Sequence, residues 1–293
     1  MIPGGQLVIY GANGWVGRSL IATVNRREFQ TSFPRLLLLG SKTRLIEIDG
    51  RKYQIYGPGL AHERIERGAV FINSAFLRRE FLRDMTVPEY THRIEEISSL
   101  PLDILQKLEL GCFINLSSGA AAQFERSVYD YEDTYGELKY KWEREFEKTC
   151  TKLGQIFLNC RIFNLSGRFL NEFNYLALST LIRKALRGEV LVVNSPNTFR
   201  TFIDAEQLCN VLLRLAINGF NGKLDSGGHL VNMRELAETI SEIIPVKGLR
   251  FLSGISSSNY YGNFEQFNKL AFDSGVILKD LKLQVKTTVE AFN

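Results

Sequence analysis

The chain is poor in residues that staple or tether proteins. Its four cysteines, Cys112, Cys150, Cys160 and Cys209, have no CxxC spacing, and two sit in apolar runs of strand character. They read as buried thiols of a reducing compartment rather than disulfides or zinc ligands. The three histidines, His62, His92 and His229, are far apart and lack metal-ligand spacing, which leaves them surface or structural roles. No apolar run nears the ~20 residues that cross a bilayer. Residues Met1 to Gly5 lack the basic region and cleavage site of a secretory signal. Proline is scarce, and no proline-rich linker marks a domain cut. The 36 basic and 32 acidic side chains are spread along the chain for a formal charge of +4. No arm or tail therefore reads as a nucleic-acid grip, while small anionic ligands remain compatible. The expectation is a cytoplasmic protein with neither a membrane nor a nucleic-acid partner.

What is present is enough apolar residue, 45% of 293, to bury a sizeable core. Apolar runs of strand length, Gln6 to Tyr10, Arg35 to Leu39, Ala69 to Asn73, Cys112 to Leu116 and Ile156 to Ile162, alternate with longer amphipathic stretches. Continuous apolarity marks strands buried on both faces, which predicts an α/β fold with a doubly wound parallel sheet, a Rossmann arrangement. After Ile162 the pattern changes. Helices are expected over Tyr175 to Arg187, Ala205 to Ala216 and, as the last, Met233 to Ile244, with Asn232 as N-cap. A short apolar run, Glu189 to Val193, lies between the first two. The boundary falls near residue 165: a dinucleotide-binding domain over 1–165, then a smaller substrate lobe over 166–293. The segment near 200–220 returns to the first domain.

The first strand runs into Gly11-Ala12-Asn13-Gly14-Trp15-Val16-Gly17, after which a helix opens. Glycines let the backbone turn sharply and approach a pyrophosphate, and the helix N-terminus supplies N–H donors and a favourable dipole. Gly11, Asn13, Gly14, Trp15, Val16 and Gly17 are thus candidate cofactor contacts. Trp15 is explained equally well by packing of the helix. The next strand ends in Gly40-Ser41-Lys42-Thr43-Arg44, with no acid before Glu47. A carboxylate there would accept hydrogen bonds from the ribose of NAD, whereas hydroxyls and cations suit a 2′-phosphate. Ser41, Lys42 and Arg44 therefore favour NADP(H) over NAD(H).

Tyr135-Gly136-Glu137-Leu138-Lys139 opens a stretch of helical periodicity. On a helix, Tyr135 and Lys139 share a face about 6 Å apart along the axis. A phenol is too weak an acid for proton transfer at neutral pH, and a nearby ammonium lowers its pKa. Upstream, the run Phe113 to Leu116 ends in Ser117-Ser118-Gly119-Ala120, where a hydroxyl emerges from the carboxyl edge of the sheet. Ser118 is the better candidate to hold a substrate oxygen, with Ser117 its near rival. Tyr260, Tyr261, Phe264 and Phe267 either line a pocket or cover the small lobe.

Glycine loop, strand-end serine and YxxxK helix, in this order, resemble the extended short-chain dehydrogenases of the NAD-dependent epimerase/dehydratase group. The GxxGxxG spacing is typical of them, and the resemblance covers nearly the whole chain. It implies that Asn73 and Ala75, in Asn73-Ser74-Ala75, line the cofactor site. Arg161-Ile162-Phe163-Asn164-Leu165-Ser166-Gly167 resembles the group's R-x-x-N-x-x-G segment, placing Asn164 near substrate phosphates. Arg200-Thr201-Phe202-Ile203-Asp204 resembles its R-x-F-x-x-D segment, where Arg200 grips the diphosphate of a nucleotide sugar. The chain departs from the group in three places. The serine-to-tyrosine separation is short, which implies a compact loop from Gln123 to Thr134. Gln54 to Gly59 lacks the acid that often contacts adenine. Gly119-Ala120 stands where the related 4,6-dehydratases carry an Asp-Glu pair, which argues against dehydration.

The implied activity is hydride transfer on a nucleoside-diphosphate sugar, with Ser118, Tyr135 and Lys139 as the catalytic set. An NADP(H)-dependent 4-ketoreductase forming a deoxysugar nucleotide is favoured. An epimerase with recycled cofactor and a catalytically silent NADP(H) sensor are the alternatives. The resemblance also implies a homodimer joined through two long helices.

Overall fold

The computed structural model describes residues 5–126, 133–170, 176–252 and 258–292. Residues 1–4, residues 127–132 of the expected compact loop, and Tyr175 of the expected helix lie outside these. The chain divides into two compact units, residues 1–162 with 212–224, and residues 163–211 with 225–293.

The first unit contains β1 (Gln6–Tyr10), α1 (Trp15–Val24), α2 (Arg27–Gln30), β2 (Arg35–Leu39), β3 (Arg44–Ile48) and β4 (Arg51–Tyr56). It continues through α3 (Ala61–Arg64), β5 (Val70–Asn73), α4 (Val87–Lys107), β6 (Cys112–Ser118), α5 (Gly119–Arg126), α6 (Thr134–Leu153) and β7 (Phe157–Ile162). The second unit begins with β8 (Leu165–Ser166), α7 (Ala177–Leu186), β9 (Val190–Val193) and β10 (Phe199–Asp204). Next, α8 (Ala205–Ile217) leads back to the first unit and β11 (Gly222–Asp225). The chain ends in the second unit with β12 (His229–Asn232), α9 (Met233–Ile243), β13 (Gly248–Phe251), α10 (Phe264–Asp273) and α11 (Leu281–Glu290).

Eight strands form the main sheet in the order β11-β7-β6-β5-β1-β2-β4-β3. The successive pairs β4–β2, β2–β1, β1–β5, β5–β6 and β6–β7 are parallel. Every residue of β1, β5 and β6 is buried, as their largely apolar runs predict. The wholly parallel expectation needs one correction: β3 pairs antiparallel with β4 as an edge hairpin. Its turn is Asp49-Gly50, with φ of 51° and 71°, the left-handed pair of a type I′ turn. Arg44, expected in a loop, is consequently the first residue of β3.

The core on one face of this sheet comprises Val8, Leu37, Phe71, Phe113 and Phe157, covered by Tyr90, Ile94 and Ile104 of α4 and Leu138, Trp142 and Phe146 of α6. A capping box starts α4, with Thr86 and Glu89 satisfying each other's backbone amides. All four cysteines are free and buried, and burial pushes the thiols of Cys112 and Cys150 up to about 12.

In the second unit, the expected helices and the N-cap Asn232 are present as α7, α8 and α9. The expectation that α9 is the last helix is corrected by α10 and α11, capped by Asn263 and Asp280. Polar residues hide α11 from pattern reading, because its buried face includes Gln284 and Thr288. These accept hydrogen bonds from Ser166 Oγ at 2.6 Å and Gly167 N at 2.7 Å.

One charged cluster is inside the first unit. Glu143 of α6 is fully buried and takes two hydrogen bonds from Arg161 Nε and one, at 2.7 Å, from Nη2, while Glu125 pairs with Nη1 at 2.5 Å. Burial alone would lower the Arg161 pKa, but the two carboxylates raise it above its ordinary value. Breaking such a pair leaves an uncompensated buried charge. Glu143→Ala is therefore expected to cost about 3–5 kcal/mol in denaturant unfolding. Glu143→Leu combined with Arg161→Met should recover most of that loss.

Candidate functional site

The glycine loop connects β1 to α1, and two of its glycines are required by contact. Gly11 has φ of +89°, and a Cβ there would lie 2.7 Å from Ala75 N and Ser74 Oγ. A Cβ on Gly17 would lie 2.3 Å from Gly11 O and 2.7 Å from Ala12 Cα. The loop is thus folded against the end of β5, and the expected neighbours Ser74 and Ala75 touch it. Gly14 occupies the N-cap position of α1, where no side chain caps the helix. Asn13 accepts from Arg18, whose Nη2 reaches Asn13 Oδ1 at 3.0 Å. The β2 end adjoins this loop, since Leu39 O accepts from both Gly11 N and Ala12 N. Two residues farther on, Ser41, Lys42, Thr43 and Arg44 are all exposed, and Thr43 Oγ1 accepts from Gly57 N.

Asn73, expected to line the cofactor site, also takes part in a contact inside the sheet. Its buried side chain donates to Asn115 Oδ1 at 3.1 Å, and Asn115 donates to Asn159 Oδ1 at 2.7 Å. The three asparagines are register partners on β5, β6 and β7 and form a ladder inside the unit. Sequence reasoning did not find this ladder, although asparagine in three consecutive buried strands is an unusual pattern.

Helix α6 rests on the chain around the end of β6. Lys139 Nζ donates to Leu116 O at 3.0 Å. One turn earlier, a Cβ on Gly136 would lie 2.8 Å from Ala120 O, so the helix backbone rests directly on the chain after β6. These two contacts fall on either side of Ser118, which is nearly buried, with its Oγ accepting from Ala120 N at 3.2 Å. Ser117 Oγ is buried without a hydrogen-bond partner, and its register partner is Arg161. Tyr135 is half-buried and meets Phe76 edge to face, with ring centroids 5.8 Å apart. Lys139 Nζ lies 3.9 Å from the centroid of the same Phe76 ring. Burial pushes the Lys139 ammonium down to about 7, against a smaller opposing effect of Glu143.

In the second unit, Asn164 Nδ2 donates to Thr201 O at 2.9 Å. Arg200 lies on β10, where its Nε is buried without a hydrogen-bond partner, and burial lowers its pKa, with Tyr260 opposing. Tyr260 meets Phe163 in a tilted ring contact with centroids 5.0 Å apart, while Phe267 is fully buried in the core. His62 pairs with Asp103 and His92 with Glu96. A cavity of about 570 Å³, lined by residues such as Asn25, Phe33, Leu38, Lys52 and Tyr53, shares no residue with the candidate site. Among the described residues, no helix is long and apolar enough to cross a membrane.

The model of the NAD dependent epimerase/dehydratase family matches residues 7–226. UDP-glucuronic acid decarboxylase 3 of Arabidopsis thaliana is 37% identical over 86 residues, 29% of this chain and 25% of that protein. The match thus spans about a quarter of that relative's length. Among solved structures, the epimerase Mth375 of Methanothermobacter thermautotrophicus superimposes with TM-score 0.77 at 14% identity, covering 99% of this chain and 93% of the other. RMD from Pseudomonas aeruginosa, complexed with NADPH, gives TM-score 0.74 at 20% identity and covers 98% of each chain. At these identities the structures share the fold.

The buried Lys139 makes stability depend on pH. Its ordinary pKa is near 10.4; between that value and about 7 the unfolded chain holds a proton that the folded chain has released. Stability therefore rises with pH across this window, by up to about 1.4 kcal/mol per unit, and the penalty is full below it. Lys139→Met should raise the melting temperature at pH 6 and flatten this slope, as read by thermal unfolding at several pH values.

Proposed function

Because the chain belongs to the NAD dependent epimerase/dehydratase family, we propose that it is a nicotinamide-dependent enzyme acting on a nucleoside-diphosphate sugar, and that it works as an NADP(H)-dependent 4-ketoreductase. The observation that carries this reading is the seating of α6 on both sides of Ser118, through Lys139 on Leu116 O and Gly136 against Ala120 O. That arrangement supports a reading in which a phenol, an amine and a hydroxyl act together at one strand end.

The residues present fit the cofactor. Gly11 and Gly17 stand where any side chain would collide with the loop itself, and the uncapped α1 N-terminus suits a pyrophosphate. Gly11, Asn13, Gly14, Trp15, Val16 and Gly17 would hold it, with Ala75 alongside. The exposed Ser41, Lys42 and Arg44 would take a 2′-phosphate, which supports NADP(H) over NAD(H). The relative complexed with NADPH is consistent with this choice. When bound, the nicotinamide supplies hydride to the substrate carbon. Ser118 would hold the substrate oxygen, Tyr135 would pass it a proton, and Lys139 would support the phenol and the cofactor ribose.

Asn164 and Arg200 would bind the substrate diphosphate. The unspent, buried Nε of Arg200 suits a charge-assisted hydrogen bond to a phosphate oxygen. A nucleotide sugar also appears in the name of the decarboxylase relative. The absence of an acidic pair at Gly119-Ala120 favours simple hydride transfer over elimination. An epimerase that recycles its cofactor is the second reading, favoured by the likeness to the epimerase Mth375. We place the enzyme in the cytoplasm, in keeping with its four buried free thiols, and propose a homodimer through α4 and α6. Their outer faces carry an ion pair, Glu95 with Lys141 at 3.0 Å, so that interface would be polar. A monomeric mass in light scattering at micromolar concentration would remove the dimer.

With a 4-keto-6-deoxyhexose nucleotide, NADPH should be consumed one for one with product. Interconversion of two sugar nucleotides without net NADPH loss would instead establish the epimerase. Tyr135→Phe should lower kcat by about 10²–10⁴ while retaining NADPH binding; NADPH binding without turnover in the parental chain, unaltered by Tyr135→Phe, would leave it a dinucleotide sensor. Lys42→Glu with Arg44→Glu should weaken NADPH at least ~10-fold relative to NADH, and equal loss for both cofactors would refute the assigned phosphate site.

A further inference from the structure

Tyr135 stands among charges contributed by distant parts of the chain. Arg79 opens the short 3-10 turn Arg79–Arg83, which follows β5. Its guanidinium carbon lies 5.5 Å from the centroid of the Tyr135 ring. It is ion-paired with Asp133, the N-cap position of α6. The Asp133 side chain is 8% exposed and that of Arg79 is 49% exposed, so the pair is anchored at its acidic end. Tyr90 of α4 donates to Leu77 O at 2.8 Å and to Arg78 O at 3.3 Å, which pins the segment that delivers Arg79.

Among the described residues, the titratable groups gathered here are Arg79 and Glu80 from the turn, Tyr90 from α4, and Asp133 and Lys139 from α6. Two of them are cations. Lys139 is buried and titrates near 7, so its positive charge fades as the pH rises past neutrality. A guanidinium does not titrate in this range. A cation against an aromatic ring is attracted to the phenol and more strongly to the phenolate, and so favours ionisation. Asp133 opposes this effect by its charge, but it also fixes Arg79 against the ring.

We propose that Arg79 is the positioning residue for Tyr135: tied to Asp133, it holds the first turn of α6 and keeps a permanent positive charge at the phenol, easing its ionisation. This rests on the assignment of Tyr135 as the proton-transfer group. It assigns the constant part of the tyrosine's acidity to a residue outside the YxxxK pattern.

Tyrosinate absorbance, titrated in each background with and without Tyr135→Phe, isolates the ionisation of Tyr135. Arg79→Gln should raise its midpoint by about one unit and move the phenol-dependent limb of the kcat profile by the same amount, with KM changing less than kcat. Arg79→Lys should restore most of both. Exchanging the partners, Arg79→Asp with Asp133→Arg, keeps an ion pair but puts a carboxylate at the ring, and the midpoint should stay high. An unshifted midpoint in folded Arg79→Gln, or a parental profile in the exchanged pair, would overturn the proposal. If Arg79→Gln does not fold, Arg79→Met reads the same shift. Turnover that survives Tyr135→Phe would defeat the catalytic assignment alone, because the absorbance titration still reads the coupling to Arg79.

Discussion

The contact between the first two turns of α6 and the end of β6 sets the geometry of the candidate site. A helix normally keeps its backbone a side chain away from its neighbours. At Gly136 that spacing collapses, because a Cβ would lie 2.8 Å from Ala120 O and 2.9 Å from Asp133 Oδ2. The close approach lets Lys139, one turn on, reach Leu116 O across a buried interface. Ser118 lies between these two anchor points in sequence, so the serine and the Tyr135 turn cannot drift apart without breaking one of them. The central glycine of Tyr135-Gly136-Glu137-Leu138-Lys139 is thus as much a part of the site as its ends.

Beneath that contact lies a polar layer that an apolar core would not need. The ladder Asn73-Asn115-Asn159 runs across three parallel strands, and Asn73 Oδ1, Asn159 Nδ2, Ser117 Oγ and Trp142 Nε1 are buried without hydrogen-bond partners. Unmade hydrogen bonds of this kind are costly. Their return is register: a slip of one residue would turn each asparagine to the opposite face and break every rung. The clamp of Glu143 on Arg161 locks the same helix to β7. Polar pairs therefore fix where α6 sits, and apolar packing by Phe113, Phe146 and Phe157 supplies the bulk of the attraction.

Legibility in the sequence followed the range of the interactions. The strands β1, β2, β5, β6 and β7 were readable because burial on both faces leaves a predominantly apolar run. The glycine loop and the Tyr135-Lys139 spacing were readable because each is a local device. The β3–β4 hairpin is also written locally, in Asp49-Gly50 between alternating side chains, and only Arg44, its first residue, was expected in a loop. Helix α11 escaped for a different reason: its buried Gln284 and Thr288 satisfy tertiary hydrogen bonds and so erase the apolar stripe. Asn115, Asn159, Asp133 and Arg79 could not be singled out, since each acquires meaning only from a partner tens of residues away. Asn73 donates to the ladder through Nδ2 while its Oδ1 has no partner, and the backbone that follows it meets the glycine loop.

The second unit holds a buried, unpartnered donor on a well-bonded frame. Asp204 caps α8 through Oδ1 and pairs with Lys279 through Oδ2 at 2.8 Å. Gln284 Nε2 donates to Phe202 O and Lys279 O, and Gly167, at φ +104°, leaves no room for a side chain beside Asp204. These bonds hold β8 and β10 rigidly, and Arg200 is carried on β10 with its Nε stripped of water and unpaired. A cation in that condition destabilises its own surroundings, as its lowered pKa reflects. The fold accepts that cost although a neutral residue would avoid it. Such a donor needs no reorganisation to meet an anion, and the desolvation it would otherwise suffer on binding has already been met during folding.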